Sequence, residues 1–438
     1  MSDALGRLRA GEMAGAQRLD LSGGLTELPP EVFGLADSLE VLNLSGNALR
    51  TLPHDLHRLH RLRVLFCSDN QFTELPEAVG QCPRLEMVAF KANQIEKVPA
   101  AALPPSLRWL ILTDNRIDAL PAELGERARL QKLMLAGNRL KALPESMADC
   151  RALELVRMSA NRFEALPGWL LSLPRLSWLA FAGNPFDEAP EAMAMDAQPN
   201  QAIDWSSLAL KHKLGEGASG VIHQADWRQP DGRLRPVAVK LFKGAVTSDG
   251  WPHSEMAACL AAGPHPGLIP VLGRIAHHPE ASAGLVLELV DPGFRNLAGP
   301  PSLASCTRDV YGDEARWSAP TALRMARGIA SAIARLHARG ILHGDLYGHN
   351  ILWNGRGDAL LGDFGAASFL PRDDAAQSQA LQRTEARAFG CLLEELAERC
   401  EAPDAATRAL LAGLQARCLD DDSAQRPLFD EIAAALGA

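Results

Sequence analysis

The stretch from Leu39 to Pro53, LEVLNLSGNALRTLP, contains the pattern on which the first part of the chain is built. Leucines stand at regular intervals in it, one asparagine follows them, and a Leu-Pro pair closes the unit. The order recurs, with conservative exchanges, over 62–76 and 85–99. The asparagine returns every 23 residues, apart from one step of 22. Its positions are Asn47, Asn70, Asn93, Asn115, Asn138, Asn161 and Asn184.

Elementary chemistry explains why such a unit has to repeat. Alternating leucine and variable positions form a short strand with one buried face. The asparagine amide can bond both donors and acceptors in the backbone of adjacent coils. Because a single unit cannot bury its apolar face alone, stacking of the copies must supply the stability.

This pattern resembles the leucine-rich repeat, whose signature is L-x-x-L-x-L-x-x-N-x-L. The resemblance implies an α/β leucine-rich repeat solenoid over residues 1–186. The segment Leu19–Pro29 is a shortened copy with Gly24 at the asparagine place, as expected of an N-terminal capping repeat. The last copy stops at Asn184-Pro185-Phe186, where no full return segment follows.

The variable strand positions are expected on the concave face of the solenoid, facing solvent. Most of them are apolar, although exposed apolar patches usually mark interaction surfaces. They are Val41, Asn43, Val64, Phe66, Met87, Ala89, Trp109, Ile111, Lys132, Met134, Leu155, Arg157, Trp178 and Ala180. We therefore expect this face to bind a protein substrate or regulator, or to dock against the second domain of the chain. Ordinary repeat drift is the alternative.

Composition excludes several functional classes. The 438 residues are 47% hydrophobic and 22% charged, values typical of packed globular proteins. A net charge of −9 without a Lys/Arg block argues against nucleic-acid or anionic-membrane partners. No apolar run is long enough to span a bilayer. Eight cysteines without a C-x-x-C pair predict reduced thiols and a cytoplasmic location.

Residues 187–204 carry no repeat and are interpreted as a linker, which places the second domain at 205–438. There, Leu214–Val221 reads LGEGASGV, a G-x-G-x-x-G spacing that dinucleotide-binding turns share. A dinucleotide fold needs a helix next. Here the strand-like VIHQADW follows, and then Pro236–Lys240, PVAVK. A glycine hairpin followed by a V-A-V-K strand is the order of a protein kinase small lobe.

Two further motifs follow in the expected order. Residues 343–350 read HGDLYGHN, which matches H-x-D-L-x-x-x-N, and Asp363-Phe364-Gly365 comes next. With the glycine hairpin and the lysine strand, these motifs resemble a eukaryotic-type protein kinase over nearly the whole second domain. The tail ending in Arg426-Pro427 is similar to that of tyrosine-kinase-like members. The resemblance implies a two-lobed α+β fold.

The resemblance also implies ATP and Mg²⁺ as cofactors and gives each motif residue a role. Lys240 would hold the α- and β-phosphates, with Glu255 as its partner acid. Asp345 would orient the acceptor hydroxyl and accept its proton, while Asn350 and Asp363 would hold Mg²⁺ through oxygen. The residues expected around the nucleotide are Leu214, Gly215, Glu216, Gly217, Gly220, Val221, Ala238, Lys240, Leu287 as gatekeeper, Glu288, Val290 and Leu352.

Several positions depart from the kinase pattern. Gly344 replaces an arginine that commonly pairs with a phosphorylated activation loop, so control by that switch is not expected. Tyr347 stands where serine/threonine kinases usually carry a lysine. No Ala-Pro-Glu separates Asp363 from residues 385–390, which are expected to lie in the helix after the activation segment. Since that stretch forms the peptide-docking shelf of protein kinases, its shortening argues against ordinary peptide docking and leaves Arg426 without its usual glutamate partner.

Three functions fit these motifs. The first is an ATP- and Mg²⁺-dependent protein kinase, most simply of the serine/threonine type, with repeats that recruit or regulate its partner. The second is a small-molecule phosphotransferase, since H-G-D followed by L-x-x-x-N also resembles aminoglycoside and choline phosphotransferases. The third is a pseudokinase scaffold. The sequence assigns no role to the Pro-, Gly- and Ser-rich insertion at 291–317.

Overall fold

A computed structural model describes residues 3–187, 191–193, 202–217, 219–243, 246–247 and 249–437. The chain divides into two compact units, Met1–Val156 with Asn161–Leu173, and Arg157–Ala160 with Pro174–Ala438. Residues 157–160 and 174–187 thus belong to the repeats by sequence and to the second unit by their contacts. We term them the terminal repeat segment. Most of the predicted linker, 188–190 and 194–201, lies outside the described residues.

Three-residue strands of the first unit pair in parallel, each with the next along the chain. They are β1 (Arg18–Asp20), β2 (Val41–Asn43), β3 (Val64–Phe66), β4 (Met87–Ala89), β5 (Trp109–Ile111) and β6 (Lys132–Met134). Helix α1 (Asp3–Arg9) precedes them, and β7 (Leu155–Arg157) and β8 (Trp178–Ala180) follow. Short 3-10 helices form the return segments, at Pro30–Leu35, Leu56–Arg58, Glu77–Val79, Ala100–Ala102, Ala122–Glu126, Glu145–Asp149, Leu170–Ser172 and Pro185–Asp187.

The repeated asparagines join neighbouring coils, as the sequence predicted. The Asn70 amide nitrogen donates to the carbonyl of Leu44 in the preceding coil, at 2.9 Å, and to that of Cys67 in its own coil. Its oxygen accepts from the backbone nitrogen of Leu49 at 3.0 Å. Backbone groups that turn inward at each coil are satisfied in this way, so the buried leucines can stack without unpaired polar atoms.

In the second unit, the small lobe is a six-stranded sheet in the order β10-β11-β12-β14-β13-β9. Its strands are β9 (Ala202–Asp204), β10 (Leu208–Glu216), β11 (Gly220–Arg228), β12 (Leu234–Phe242), β13 (Val271–Ala276) and β14 (Gly284–Glu288). The sheet is antiparallel except for β9, which runs parallel to β13 although the sequence placed it in the linker. Alternating residues of β12, among them Val237 and Val239, form the core with Val286. Helix α2 (Pro252–Ala262) follows β12.

The large lobe is mostly helical. Its helices are α3 (Ala319–Ala338), α4 (Ala375–Glu398), α5 (Ala405–Cys418) and α6 (Phe429–Leu436). Short strands accompany them: β15 (Arg295–Asn296), β16 (Trp317–Ser318), β17 (Ile341–Leu342), β18 (Ile351–Trp353), β19 (Ala359–Leu361), β20 (Ser368–Phe369) and β21 (Cys400–Glu401). None of the helices described here is long and apolar enough to cross a bilayer.

This topology places the chemical motifs on loops between fixed strands. The segment 343–350 connects β17 to β18, and Asp363 follows β19, which pairs with β18. After Asp363 the chain forms β20 against β17 and enters α4, which the Asp374 side chain caps at the backbone nitrogen of Gln377. The activation segment is therefore short. Residues 385–390 lie in α4, as expected, and this helix begins ten residues earlier, at Ala375.

Candidate active site

Lys240 and Glu255 form a buried ion pair in the small lobe. Lys240 lies on β12 and donates through Nζ to Glu255 Oε1 on α2. Burial raises the pKa of Glu255 to about 7, against the opposing effect of the lysine. Although burial disfavours its charge, the carboxylates of Glu255 and Asp363 raise the pKa of Lys240 above its usual value. Lys240 is therefore a fixed cation between α2 and the loop that carries Asp363.

The glycine hairpin connects β10 to β11, and the backbone nitrogen of Gly217 donates to the Gly220 carbonyl at 2.9 Å. A Cβ on Gly215 or Gly217 would meet no neighbouring atom within 4 Å. A Cβ on Gly220 would lie 2.5 Å from the Leu241 carbonyl oxygen on β12. Close packing of two strands therefore suffices to require glycine at this last position.

The other residues expected around the nucleotide fall on both lobes. Ala238 on β12 pairs with Leu287 on β14. Leu352 lies on β18 of the large lobe. Two predicted contributors have other side-chain partners: Glu288 accepts two hydrogen bonds from Arg235, at 2.8 and 2.9 Å, and Glu216 pairs with Lys213 and Lys243. The remaining predicted residues are Leu214 on β10, Val221 on β11 and Val290 after β14.

The loop 343–350 is held by its own side chains. His343 is fully buried, bonds the Gly362 carbonyl through Nε2 at 2.9 Å, and accepts from the backbone nitrogen of Asp345 through Nδ1. Asn350 Nδ2 donates to the Asp345 carbonyl at 2.9 Å and to Asp345 Oδ2 at 2.8 Å. These bonds fix the orientation of the Asp345 carboxylate.

Asn350 and Asp363 are the two residues expected to hold a cation. Because Asn350 uses its amide nitrogen toward Asp345, its oxygen remains as a hard ligand. Asp363 adopts the left-handed conformation, with φ 51°, and its Oδ1 accepts from the backbone nitrogen of Gly365. Among the described residues, no group of three or more His, Cys, Asp or Glu side chains could hold a metal. Two oxygen donors fit Mg²⁺, which commonly takes one or two protein ligands and completes its shell with phosphates and water.

Two side chains that hold residues 343–350, which we term the catalytic loop, were not predicted from the sequence. Glu385 on α4 accepts from the backbone nitrogens of Gly344 and His343, at 2.8 and 3.3 Å, and bonds the ring of His337. Asp309, from the insertion, accepts from the backbone nitrogen of His349 at 3.0 Å and bonds its ring at 2.7 Å. The insertion at 291–317, for which no role was predicted, therefore supports the residue next to Asn350.

The terminal repeat segment packs on the same loop. Trp178 Nε1 donates to the Leu346 carbonyl at 2.9 Å, and the backbone nitrogen of Phe181 donates to Ser368 Oγ at 3.2 Å. Trp178 and Arg157 are only 1% and 2% exposed. The expectation that these two positions face solvent is therefore wrong, and docking against the second domain, the other predicted role, is what they do.

Two arginines of the large lobe bind this segment as well. Arg387 Nε and Arg426 Nη2 both donate to the Pro174 carbonyl, at 3.0 and 2.7 Å, and Arg426 Nε donates to the Asp420 carbonyl. Burial, together with nearby Arg387, lowers the pKa of Arg426 to about 10. In this chain the repeat backbone thus takes the place of the glutamate that Arg426 lacks.

A guanidinium completes the arrangement around Asp345. Arg157 Nη2 donates to Asp345 Oδ1, its Nη1 donates to the Gly344 carbonyl at 3.1 Å, and its Nε donates to Asp249 Oδ1 at 2.6 Å. Although burial opposes it, the Arg157 guanidinium lowers the pKa of Asp345. The contact joins residues 188 positions apart, and nothing in the sequence signals it.

A lysine–glutamate pair in a β-rich lobe, set against a loop that orients an aspartate and an asparagine, defines the class of protein kinase-like phosphotransferases. Comparison with known families gives the same class. Residues 208–389 match the protein tyrosine and serine/threonine kinase family, and residues 16–72 and 105–163 match the leucine rich repeat family. The chain therefore combines leucine-rich repeats with a protein kinase domain.

Similar proteins include serine/threonine-protein kinases and a tyrosine-protein kinase. The serine/threonine-protein kinase mos of Xenopus laevis is 26% identical over 178 residues, which cover 40% of this chain and 46% of the relative. The serine/threonine-protein kinase CTR1 of Arabidopsis thaliana is 25% identical over 216 residues, 44% of this chain and 24% of the relative. The tyrosine-protein kinase abl-1 of Caenorhabditis elegans is 27% identical over 185 residues, which cover 42% of this chain and 14% of the relative. The chain spans less than half the length of each of these relatives.

Proposed function

We propose that the protein is an ATP- and Mg²⁺-dependent protein kinase that phosphorylates serine or threonine hydroxyls. The observation that carries the proposal is the orientation of Asp345 by Asn350, in the domain where Lys240 is paired with Glu255. Phosphoryl transfer needs little covalent chemistry from the protein, because positioning and charge neutralisation supply most of the rate. These four side chains meet both needs.

Each residue has one task in this mechanism. Lys240 neutralises and places the α- and β-phosphates, and the hairpin amides around Gly217 cover the phosphate chain. Asp345 accepts a hydrogen bond from the acceptor hydroxyl and then its proton, while the hydroxyl oxygen bonds to the γ-phosphorus and the bond to ADP breaks. Bound Mg²⁺ would offset phosphate charge, and the oxygens of Asn350 and Asp363 would hold it.

The partner and the compartment belong to the proposal as well. Leucine-rich repeats commonly present their concave face to other proteins, so we assign recognition of a protein substrate or regulator to the repeats. We also place the protein in the cytoplasm. This is supported by its eight free cysteines, seven of them buried, since secreted chains usually pair their thiols.

The test is transfer of ³²P from γ-labelled ATP by the full chain to a mixture of dephosphorylated proteins, with Mg²⁺ present or chelated. Replacing Asp345 by Asn should lower the rate by about 10²- to 10⁴-fold. Asp313→Asn, at an exposed position of the insertion, is the matched control and should retain the rate. Labelling of added small alcohols alone would indicate a small-molecule phosphotransferase. Background labelling in both wild type and Asp345→Asn would indicate a scaffold.

A further inference from the structure

The acceptor side of Asp345 is already occupied in this chain. An acceptor hydroxyl has to come within about 2.6–3.2 Å of the carboxylate that takes its proton. Both carboxylate oxygens are engaged, Oδ2 by the Asn350 amide and Oδ1 by the Arg157 guanidinium. The Asp345 side chain retains 16% of its exposure. With so little of the carboxylate exposed, a hydroxyl that approaches Oδ1 meets the Arg157 guanidinium and competes with it for that oxygen.

Rotation of the Arg157 side chain away from Asp345 is opposed by three hydrogen-bonded contacts. Its Nε and Nη1 bind Asp249 and the Gly344 carbonyl in addition to the bond with Asp345. The side chain is almost completely buried, and separating a buried, hydrogen-bonded charge pair is costly. Release of Asp345 therefore requires movement of the backbone that carries Arg157.

The backbone beside Arg157 is joined to the last coil, where the Met158 nitrogen donates to the Ala180 carbonyl at 2.8 Å, and the last coil is bound to the large lobe. The Trp178 indole and the Phe181 amide bind the loop and β20, and the Pro174 carbonyl accepts from two arginines. One of these contacts, at Ser368, lies in the shortened stretch between Asp363 and α4. The terminal repeat segment is thus built into the acceptor side of the domain.

The side chains expected to bind the nucleotide phosphates, in contrast, are already paired. The ion pair of Lys240 with Glu255 is formed, and α2 is held near its start by Ser254, whose hydroxyl donates to the Glu191 carboxylate at 2.9 Å. Glu191 also accepts from the backbone nitrogen of Gly183 in the terminal repeat segment, at 2.8 Å. The same segment therefore reaches the helix that carries Glu255 by way of Glu191, and reaches the Asp345 carboxylate by way of Arg157.

We propose that Arg157 is an autoinhibitory residue: it excludes the phosphate acceptor from Asp345 while the nucleotide site remains able to bind ATP. A partner that binds the repeats and draws the terminal repeat segment off the catalytic loop would admit the acceptor. The inference rests on the kinase activity proposed above and adds its regulation.

The experiment compares full-length wild type with Arg157→Ala and Arg157→Gln. Arg157→Gln keeps most of the side-chain volume and an amide donor, so it preserves the fold if the alanine variant does not. Arg162→Ala, which removes an exposed arginine of the repeats, is the matched control. Two quantities are measured: Mg-ATP affinity by calorimetry, and ³²P transfer from γ-labelled ATP to dephosphorylated casein.

Both Arg157 variants should transfer phosphate at least about tenfold faster than wild type, as expected if the closed form holds nine-tenths of the molecules or more. Their Mg-ATP affinity should be unchanged, and Arg162→Ala should behave like wild type. If the Arg157 variants transfer phosphate no faster than wild type at unchanged Mg-ATP affinity, the autoinhibitory role of Arg157 is overturned and the proposed kinase activity is not affected. Failure of the wild type and every variant to bind Mg-ATP would overturn the proposed function and, with it, the autoinhibitory role of Arg157.

Discussion

The indole of Trp178 lies flat on the phenol of Tyr347, with ring centroids 4.2 Å apart and planes inclined by 10°. Tyr347 stands two residues after Asp345, at the position where serine/threonine kinases usually carry a lysine. An aromatic ring is better suited there than a charged chain, because the indole covers this position and the phenol is buried. The departure from the kinase pattern therefore has a structural partner in the terminal repeat segment.

Replacing Trp178 by Ala removes this stack and the bond to the Leu346 carbonyl. We expect a loss of about 3–5 kcal/mol in the free energy of unfolding, typical of a truncated buried aromatic residue. Trp178→Phe keeps a ring in place and should lose less. Urea unfolding followed by circular dichroism measures both. Equal, near-zero losses would show that the stack does not contribute to stability.

Gly344 should not tolerate a side chain. Its φ is 73°, and a Cβ would lie 2.6 Å from the carbonyl oxygens of Leu179 and Ala366. Gly340, with φ 74° and open space around its Cβ position, isolates the cost of the backbone conformation. Gly340→Ala should cost about 1–2 kcal/mol in unfolding free energy, and Gly344→Ala more. Equal losses would mean that the terminal repeat segment does not approach Gly344 this closely.

Asp309 should matter for turnover more than for nucleotide affinity. Asp309→Ala removes both bonds to His349, so the loop that carries Asn350 loses its anchor. Misplacing catalytic groups by about 1 Å can cost about 10²-fold in rate, and we expect kcat to fall at least about tenfold. The KM for ATP should change little, and Asp313→Asn serves as the control. Unchanged kcat would show that His349 needs no such support.

Glu395 should make stability depend on pH. Burial, together with the Asp309 carboxylate, raises its pKa from 4.5 to about 7, although it accepts from the Tyr311 hydroxyl and lies near Arg308. Between these two values the native state binds a proton that the unfolded chain releases. The free energy of unfolding therefore falls as the pH rises through this window.

Glu395→Gln removes that titration. We expect the variant to show a flatter profile from pH 4.5 to 7 and to be more stable than wild type at pH 8. Glu398→Gln, an exposed position on the same helix, should leave the slope unchanged. Thermal unfolding at a series of pH values measures this. Parallel profiles for wild type and Glu395→Gln would contradict the assignment.

Local pattern was enough to predict both architectures. The repeat is visible because its leucines and asparagine recur at a fixed spacing, and the kinase domain because each motif has its own residue order. The contact of Arg157 with Asp345 could not be predicted, since every copy of the repeat has the same variable positions and the two residues are distant in sequence. Gly344 and Tyr347 did signal that the acceptor side is unusual. The boundaries 1–186, 187–204 and 205–438 remain predictions.

Titration of the full chain with Mg-ATP in a calorimeter tests the central claim most directly, namely that Lys240, Glu255, Asn350 and Asp363 form a nucleotide site. Wild type should bind with 1:1 stoichiometry. Lys240→Met should bind at least about tenfold more weakly, since it removes a charge-assisted contact to phosphate. Lys211→Met, which changes an exposed lysine of β10 paired with Asp226, should bind like wild type. Absence of binding heat in a folded wild-type chain, or equal affinities for wild type and Lys240→Met, would contradict the account.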